Sequence, residues 1–418
     1  MTSTPQGPTD ETDTTGTTGT DRASTTLLTG RVVLPSETVA DGAVVVAGEQ
    51  ILYAGSRASV PPEHSGASEP AGWAPGLTLL PGLVDLHCHG GSGGEFGTDT
   101  EGARTAAAHH HRAGSTTVVG SLVSASAERL LSGVRACAPL VRDGDRAGIH
   151  LEGPFLSTAR CGAQNPAALI APDLKLLEEL VLEAGPGVIA QMTWAPELPG
   201  ASQLPAELAR LGILGAVGHT DADVRTARAA LAALVEHPVR GGQALVTHLF
   251  NGMPPMLSRQ PGPVAAALSA AGRGEAVVEV IADGVHLDGG TVQMLFDTVG
   301  PDQVALVSDC MAAAGLPEGD YTLGGLHVRV QGRDVRLVDS GSLAGGVSCL
   351  LDQVRWCVAD LGVPLTDAVR AASTTPARAL ALDGVGALEA GLRADVLVVD
   401  EALVAQRVMR RGAWLELG

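Results

Sequence analysis

Two histidines, His87 and His89, close the apolar run LLPGLVDLHCHG. On an extended strand residues two apart face the same side, so this H-x-H pair can share one cation. A single histidine after an apolar run is more often a turn or capping residue than a ligand. The pair gains weight from what closes the other apolar runs. AGIHLEGPF supplies His150 and Glu152, GAVGHTD supplies His219, and ALVTHLFN supplies His248 and Asn251. VEVIADGVHL supplies Asp283 and His286, and VALVSDCM supplies Asp309. Imidazole nitrogens and carboxylate oxygens in this mixture suit a borderline divalent ion such as zinc or iron. Asp309 reads differently. A carboxylate beside an activated water takes its proton and later returns it to a leaving group. The competing reading is a helix N-cap. The catalytic one is favoured because the set offers no other free base.

Such residues need a scaffold that brings the ends of distant strands together. Residues 80–375 alternate short apolar runs with Ala- and Leu-rich helical stretches: GSTTVVGSLV precedes SAERLLSGVRACAPLVRDG, and GILGAVGHT precedes DADVRTARAALAALVEH. Wholly apolar strands between helices predict a parallel sheet. This many units predict an α/β fold, a (β/α)8 TIM-like barrel, whose C-terminal rim would carry all the residues above. An open doubly wound sheet competes, but no Gly-rich dinucleotide fingerprint follows an early strand. Both flanks, 27–79 and 376–418, carry short β-branched runs between turn residues, which predict a small β-sandwich domain built from both termini. Within Gly324–Gly346 the rhythm breaks, and Gly-Arg-Asp marks the turn of a hairpin inserted late in the barrel. Residues 1–26 are rich in Thr, Gly and acid, lack an apolar leader core, and read as a disordered tail.

Composition narrows the class. The chain has 418 residues, 45% of them hydrophobic but only 2% aromatic, so the core must be aliphatic. A formal net charge of −19 repels nucleic acid and anionic membranes, so neither is an expected partner. An anionic small molecule would need a local cation. No apolar run is long enough to span a membrane. The six cysteines are scattered, which suits a reducing, cytoplasmic setting. The run His109, His110, His111 reads as a solvated helix end before Gly114.

Taken in order, PGLVDLHCHG, HLEGPF, GHT, HLFNGMPP, DGVHL and VSDCMAAAG resemble the amidohydrolase superfamily, and within it the N-acetylglucosamine-6-phosphate deacetylase family. The resemblance covers Leu27–Gly418, and HLEGPF with HLFNGMPP is its specific part. It implies metal-dependent hydrolysis of the acetamide of an N-acetylated sugar phosphate, in amino sugar catabolism, by a homodimer. Residue by residue it implies Glu152, His219 and His248 as ligands of a divalent metal and Asp309 as general acid and base. Asn251 and Gly252 would contact substrate through backbone, and Asp283 and His286 would bind the sugar. Arg259 would reach the phosphate across a dimer interface, and Leu343, Ala344 and Gly345 would line the substrate. Because His87 and His89 are both present, a second ion bridged by Glu152 is implied as well, one or two ions per chain. In GAQNP, Ala163 and Gln164 would contact substrate; Gln164 stands where the family has histidine and is expected to hydrogen-bond the reacting amide or the sugar. Glutamine donates a hydrogen bond but carries no charge. Two other functions fit these residues. One is another amidohydrolase reaction, on an N-acyl amino acid or a cyclic amide. The other, motivated by Gln164, is a weakly catalytic sugar-phosphate binding protein.

Overall fold

The computed structural model describes residues 1–2, 25–144, 146–239 and 243–417. Most of the stretch read as a disordered tail lies outside these residues. Strand Thr25–Val33 takes in the last two residues of that stretch, Thr25 and Thr26.

Eight strands follow one another around a barrel: β1 (Val84–Cys88), β2 (Thr117–Leu122), β3 (Gly148–Glu152), β4 (Ile189–Trp194), β5 (Leu214–Val217), β6 (Ala244–Val246), β7 (Ala276–Val280) and β8 (Val304–Leu306). Each pairs in parallel with the next. At the seam, the Asp309 N–H just beyond β8 donates to the His87 carbonyl at 2.8 Å. The strands are apolar because both faces are covered. Val84, Leu86, Val119, Leu214, Leu245, Val277 and Ala305 fill the interior, and Ala377, Ala379 and Leu380 close the floor. Truncating one of these, such as Leu245→Ala, costs about 2–5 kcal/mol.

β1 departs from simple alternation. Its pairing with β2 shifts register between Asp85 and Cys88. Val84 and Leu86 face the barrel interior, whereas Cys88 approaches His110 of the first helix, α1 (Thr100–Arg112). The irregularity lets His87 and His89 turn inward together while Asp85 and Cys88 meet the helix. On α1 the buried face is Ala103, Ala106, Ala107, His110 and His111. The expectation of a solvated histidine run therefore fails for His110 and His111: they continue the three-to-four spacing of the alanines inward.

Strands from the two ends of the chain share one seven-stranded sheet, in which Thr78–Pro81 lies between Thr25–Val33 and Val396–Val399. Late in the barrel, the insertion has three antiparallel strands, Gly319–Leu323, Leu326–Gln331 and Asp334–Leu337, one more than a hairpin. The extra strand reads poorly in sequence because Gly319–Leu323 alternates exposure and buries only Leu323 fully. This sheet packs Leu323, Val328 and Val335 against Met311 and Ala344, so it roofs one side of the barrel mouth.

Candidate active site

A cavity of about 240 Å³ opens at the C-terminal rim. Its walls include His89, Glu152, His219, His248, His286 and Asp309. Several of these residues are presented by strained backbone. His219, His248 and Asp309, just beyond β5, β6 and β8, have φ of 47°, 26° and 46°. Left-handed conformations at non-glycine residues cost of order 1–3 kcal/mol each and concentrate at functional sites.

Glu152, at the end of β3, is the hub. Its Oε1 lies 3.1 Å from His219 Nε2 and 3.0 Å from His248 Nε2. The same oxygen is 3.5 Å from His87 Nε2, while Oε2 is 3.2 Å from His89 Nε2. Asp309 Oδ1 completes the cluster at 3.5 Å from His87 Nε2 and 3.3 Å from His89 Nε2. Two groups of potential ligands result, Glu152 with His219 and His248, and His87 with His89 and Asp309.

The tautomers favour cation binding. Nδ1–H of His219 donates to the Arg160 carbonyl at 2.8 Å, that of His89 to the Ser121 carbonyl at 3.2 Å, and that of His87 to Glu279 Oε2 at 3.1 Å. In the neutral ring each bond makes Nε2 the unprotonated nitrogen, and Nε2 faces the centre. The Nε2 atoms of His87 and His89 lie 3.2 Å apart, and those of His219 and His248 3.1 Å apart. Paired lone pairs at that range, ringed by carboxylates, require positive charge between them. The donor set therefore fits a divalent metal at either group.

Electrostatics makes the same demand. Burial opposes every charge here, yet Glu152 and Asp309 hold His87 well above its ordinary range and lift His89 to about 9. In return, against their own burial, Glu152 is held well below its ordinary value, mainly by His87, and Asp309 is lowered to about 2. Both carboxylates are ionised at neutral pH, and their counter-charge is protons on the imidazoles or a bound cation.

Gln164 lines the cavity and is also tied to the hub. Its Nε2 donates to Glu152 Oε2 at 2.5 Å, and its Oε1 accepts from Ser124 N–H at 2.8 Å. One amide N–H thus grips the hub carboxylate and is spent there. Asn251, Gly252, Ala163, Leu343 and Gly345 line the cavity; Ala344 is fully buried in the roof. His286 lines it too, with Nδ1 2.8 Å from Asp283 Oδ2. Asp283 Oδ1 accepts from the N–H groups of Val285 and His286, so Asp283 holds His286 and is not among the cavity walls. Arg259 lies apart, exposed in a second cavity with Arg160 and Arg225. His150 sits below the floor between the hydroxyls of Ser121 and Thr193, its ring edge-on to His87.

Sequence reasoning missed Glu279. It is fully buried in β7 and also meets Gln191 Nε2 at 3.3 Å. The available signal was a charged residue inside the apolar strand AVVEV, which folding tolerates only with partners.

A parallel eight-stranded barrel with His, Glu and Asp converging on its rim defines the class. Residues 78–415 match the amidohydrolase family, and the chain belongs to that family. Within it, the chain is 31% identical over 347 residues to the N-acetylglucosamine-6-phosphate deacetylase of Lysinibacillus sphaericus, covering 81% of this chain and 85% of the relative. It is 33% identical to the N-acetylgalactosamine-6-phosphate deacetylase of Escherichia coli O157:H7, covering 80% and 86%. A Mycobacterium smegmatis N-acetyl-D-glucosamine-6-phosphate deacetylase variant, solved with N-acetyl-D-glucosamine-6-phosphate, superposes with a TM-score of 0.86 at 37% identity, covering 94% and 99%.

Proposed function

We propose that the protein hydrolyses the acetamide of N-acetyl-D-glucosamine 6-phosphate to D-glucosamine 6-phosphate and acetate, in amino sugar catabolism. The observation that carries this reading is the Glu152-centred cluster with Asp309 beside it, in a chain 31–37% identical to such deacetylases. Glu152, His219 and His248 would hold one divalent ion, zinc or iron, and His87 and His89 with Glu152 and Asp309 a second. Such an ion would polarise the amide carbonyl and make a water molecule acidic enough to attack at neutral pH.

The chain's own residues do the rest. Asp309 accepts the proton of the attacking water on its carboxylate, then delivers it to the departing sugar amine. The Asp309 backbone is fixed by its N–H to the His87 carbonyl and by its carbonyl, which accepts from Gly346 N–H at 2.7 Å. Gln164 keeps Glu152 from rotating. His286, oriented by Asp283, offers Nε2 to a sugar hydroxyl, and the backbone at Asn251 and Gly252 closes around the ring.

Among the described residues no arginine or lysine lines the catalytic cavity to bind a sugar phosphate. We assign this role to Arg259 of a second copy in a homodimer. The exposed apolar neighbours Met256 and Leu257 support that reading, since both are suited to burial against a partner. Arginine's fork suits phosphate. A cytoplasmic location fits the six free thiols. Among the described residues no helix is long and apolar enough to cross a membrane.

The 4-epimer, N-acetyl-D-galactosamine 6-phosphate, is the second substrate to test, given the 33% identity to a deacetylase of that sugar. Acetate release should be measured on both epimers, on unphosphorylated N-acetylglucosamine and on an N-acetyl amino acid. The proposal requires kcat/KM to be highest on N-acetyl-D-glucosamine 6-phosphate. Turnover of the amino acid alone would move the protein to another amidohydrolase reaction. Tight sugar-phosphate binding without acetate would make it a binding protein.

A further inference from the structure

Behind the catalytic cluster lies a second group of metal-ligating side chains that the mechanism does not use. A carboxylate oxygen of Asp85, the Cys88 thiol and a ring nitrogen of His110 all lie within 4.8 Å of one another. All three residues are completely buried. Asp85 and Cys88 reach the same side of β1 only because of the register shift between them. His110 comes from the inward face of α1.

The polar atoms of this group are left facing inward. His110 Nε2–H donates to the Gly90 carbonyl at 2.9 Å, which fixes the ring and turns Nδ1 the other way. That is how a ligating imidazole is normally held. His110 Nδ1 and Asp85 Oδ2 have no hydrogen-bond partner among the described residues. Asp85 Oδ1, by contrast, meets the N–H groups of His87 and Ser308 at 3.3 and 3.2 Å. The Cys88 thiol lies within 4.8 Å of a His110 ring nitrogen, and Cys349 Sγ, close by, meets Nε2 of the adjacent His109 at 3.3 Å. A carboxylate, an imidazole lone pair and two sulfurs, shut away from water, are poorly matched to each other and well matched to a borderline cation.

We propose that Asp85, Cys88 and His110, with Cys349 as a candidate fourth donor, form a closed, sulfur-containing metal site for a zinc-like divalent ion, separate from the catalytic cluster. Ligand bonds of about 2.0–2.3 Å set neighbouring donors roughly 3.3–4 Å apart, so small side-chain rotations complete the site. The bond to sulfur forms as the Cys88 thiol proton leaves to solvent, because the thiolate is the ligand. A second thiolate forms in the same way if Cys349 joins. The closed surroundings mean that the ion is captured as the chain folds. Its effect is to pin α1 to β1, the strand that also carries His87 and His89.

Sulfur makes the site testable apart from the active site, whose donors are only nitrogen and oxygen. The full chain should be loaded with cobalt(II) and its near-ultraviolet spectrum recorded, with metal counted by mass spectrometry. A thiolate-to-cobalt charge-transfer band is expected, together with one ion per chain more than in Cys88→Ser, which should lose the band. His110→Gln, a second variant of similar shape, should also lose the band and that ion. Cobalt-loaded protein with no such band overturns the proposal. So does a band that survives Cys88→Ser, which would belong to another thiol such as Cys161 near the cavity, or an unchanged metal count in folded variants.

Discussion

The Glu279 carboxylate lies 3.1 Å from Nδ1 of His87, and neither side chain is exposed. One carboxylate oxygen also receives the His248 N–H at 3.4 Å, while the other receives Gln191. Glu279 thus stands behind both halves of the cluster, but only His87 depends on it for the direction of its ring. Removing such a supporting carboxylate weakens metal binding by about 10–100-fold. Glu279→Gln keeps the shape and an acceptor oxygen but removes the charge. It should weaken the ion held by His87 and His89 by about that factor and leave the Glu152, His219 and His248 ion nearly unchanged. Competition with a chelator of known affinity measures both. Equal weakening of the two, or none, would show that Glu279 does not orient His87.

Asp309 touches His87 and His89 and lines the cavity. If it moves the proton, Asp309→Asn should lower kcat for acetate release by about 10²–10⁴, the usual contribution of a positioned acid and base. The ion on Glu152, His219 and His248 should remain, because Asp309 is not one of that group. Metal content and turnover of the same sample test the assignment. Wild-type turnover sinks it.

Much of this cluster was legible in the sequence because its residues are chemically unusual for their places. Glu152, His219, His248 and Asp309 each end a run of buried apolar residues, where a polar group is conspicuous. Glu279 escaped because it lies inside such a run rather than at its end. Its partner His87 is 192 residues away in sequence, so no local pattern announces the pair. His110 escaped for the opposite reason. Three adjacent histidines look like a polar surface, and only their spacing from Ala103 and Ala106 points two of them inward. The register shift in β1 is invisible to a strict period of two, which would have put Asp85 on the same face as His87. Gln164 lines the cavity, but whether its amide meets substrate or Glu152 depends on a loop fold that residue types do not encode.

Gly252 marks a position where side-chain volume and backbone both matter. Its φ is +60°, and a Cβ there would stand 2.9 Å from His219 Nδ1. Gly252→Ala should cost about 1–2 kcal/mol from the left-handed backbone alone and also push the His219 ring off its bond to the Arg160 carbonyl. Gly391, with φ +91° and open space around it, supplies the control. Gly391→Ala should show a backbone cost of that order with normal metal affinity, whereas Gly252→Ala should lose both stability and affinity at the Glu152 ion. Chemical unfolding and metal titration of the two variants separate the effects. Identical metal affinity in both would mean that the ring accommodates the methyl group.

The His286–Asp283 pair makes a prediction about pH. Burial pushes His286 down, but its hydrogen bond and charge contact with Asp283 raise it above the ordinary value of 6.5. Asp283 is lowered below 3.8 despite its own burial, through the same bond. A histidine raised in the folded state favours folding when protonated. Its contribution is complete below about 6.5, the unfolded value, and is lost as pH rises through the folded one. The aspartate's contribution is present above 3.8 and fades as pH falls through its lowered folded value. Asp283→Asn removes the counter-charge, so burial should win and His286 should titrate below 6.5 rather than above it. The variant should therefore lose stability relative to wild type mainly between about 3.8 and 6.5, at acidic pH. It should also hold His286 neutral where wild type holds it charged. Nuclear magnetic resonance of the His286 ring protons follows this directly. A titration midpoint unmoved by Asp283→Asn would mean that other carboxylates, with Asp309 the nearest in effect after Asp283, set the charge of this histidine.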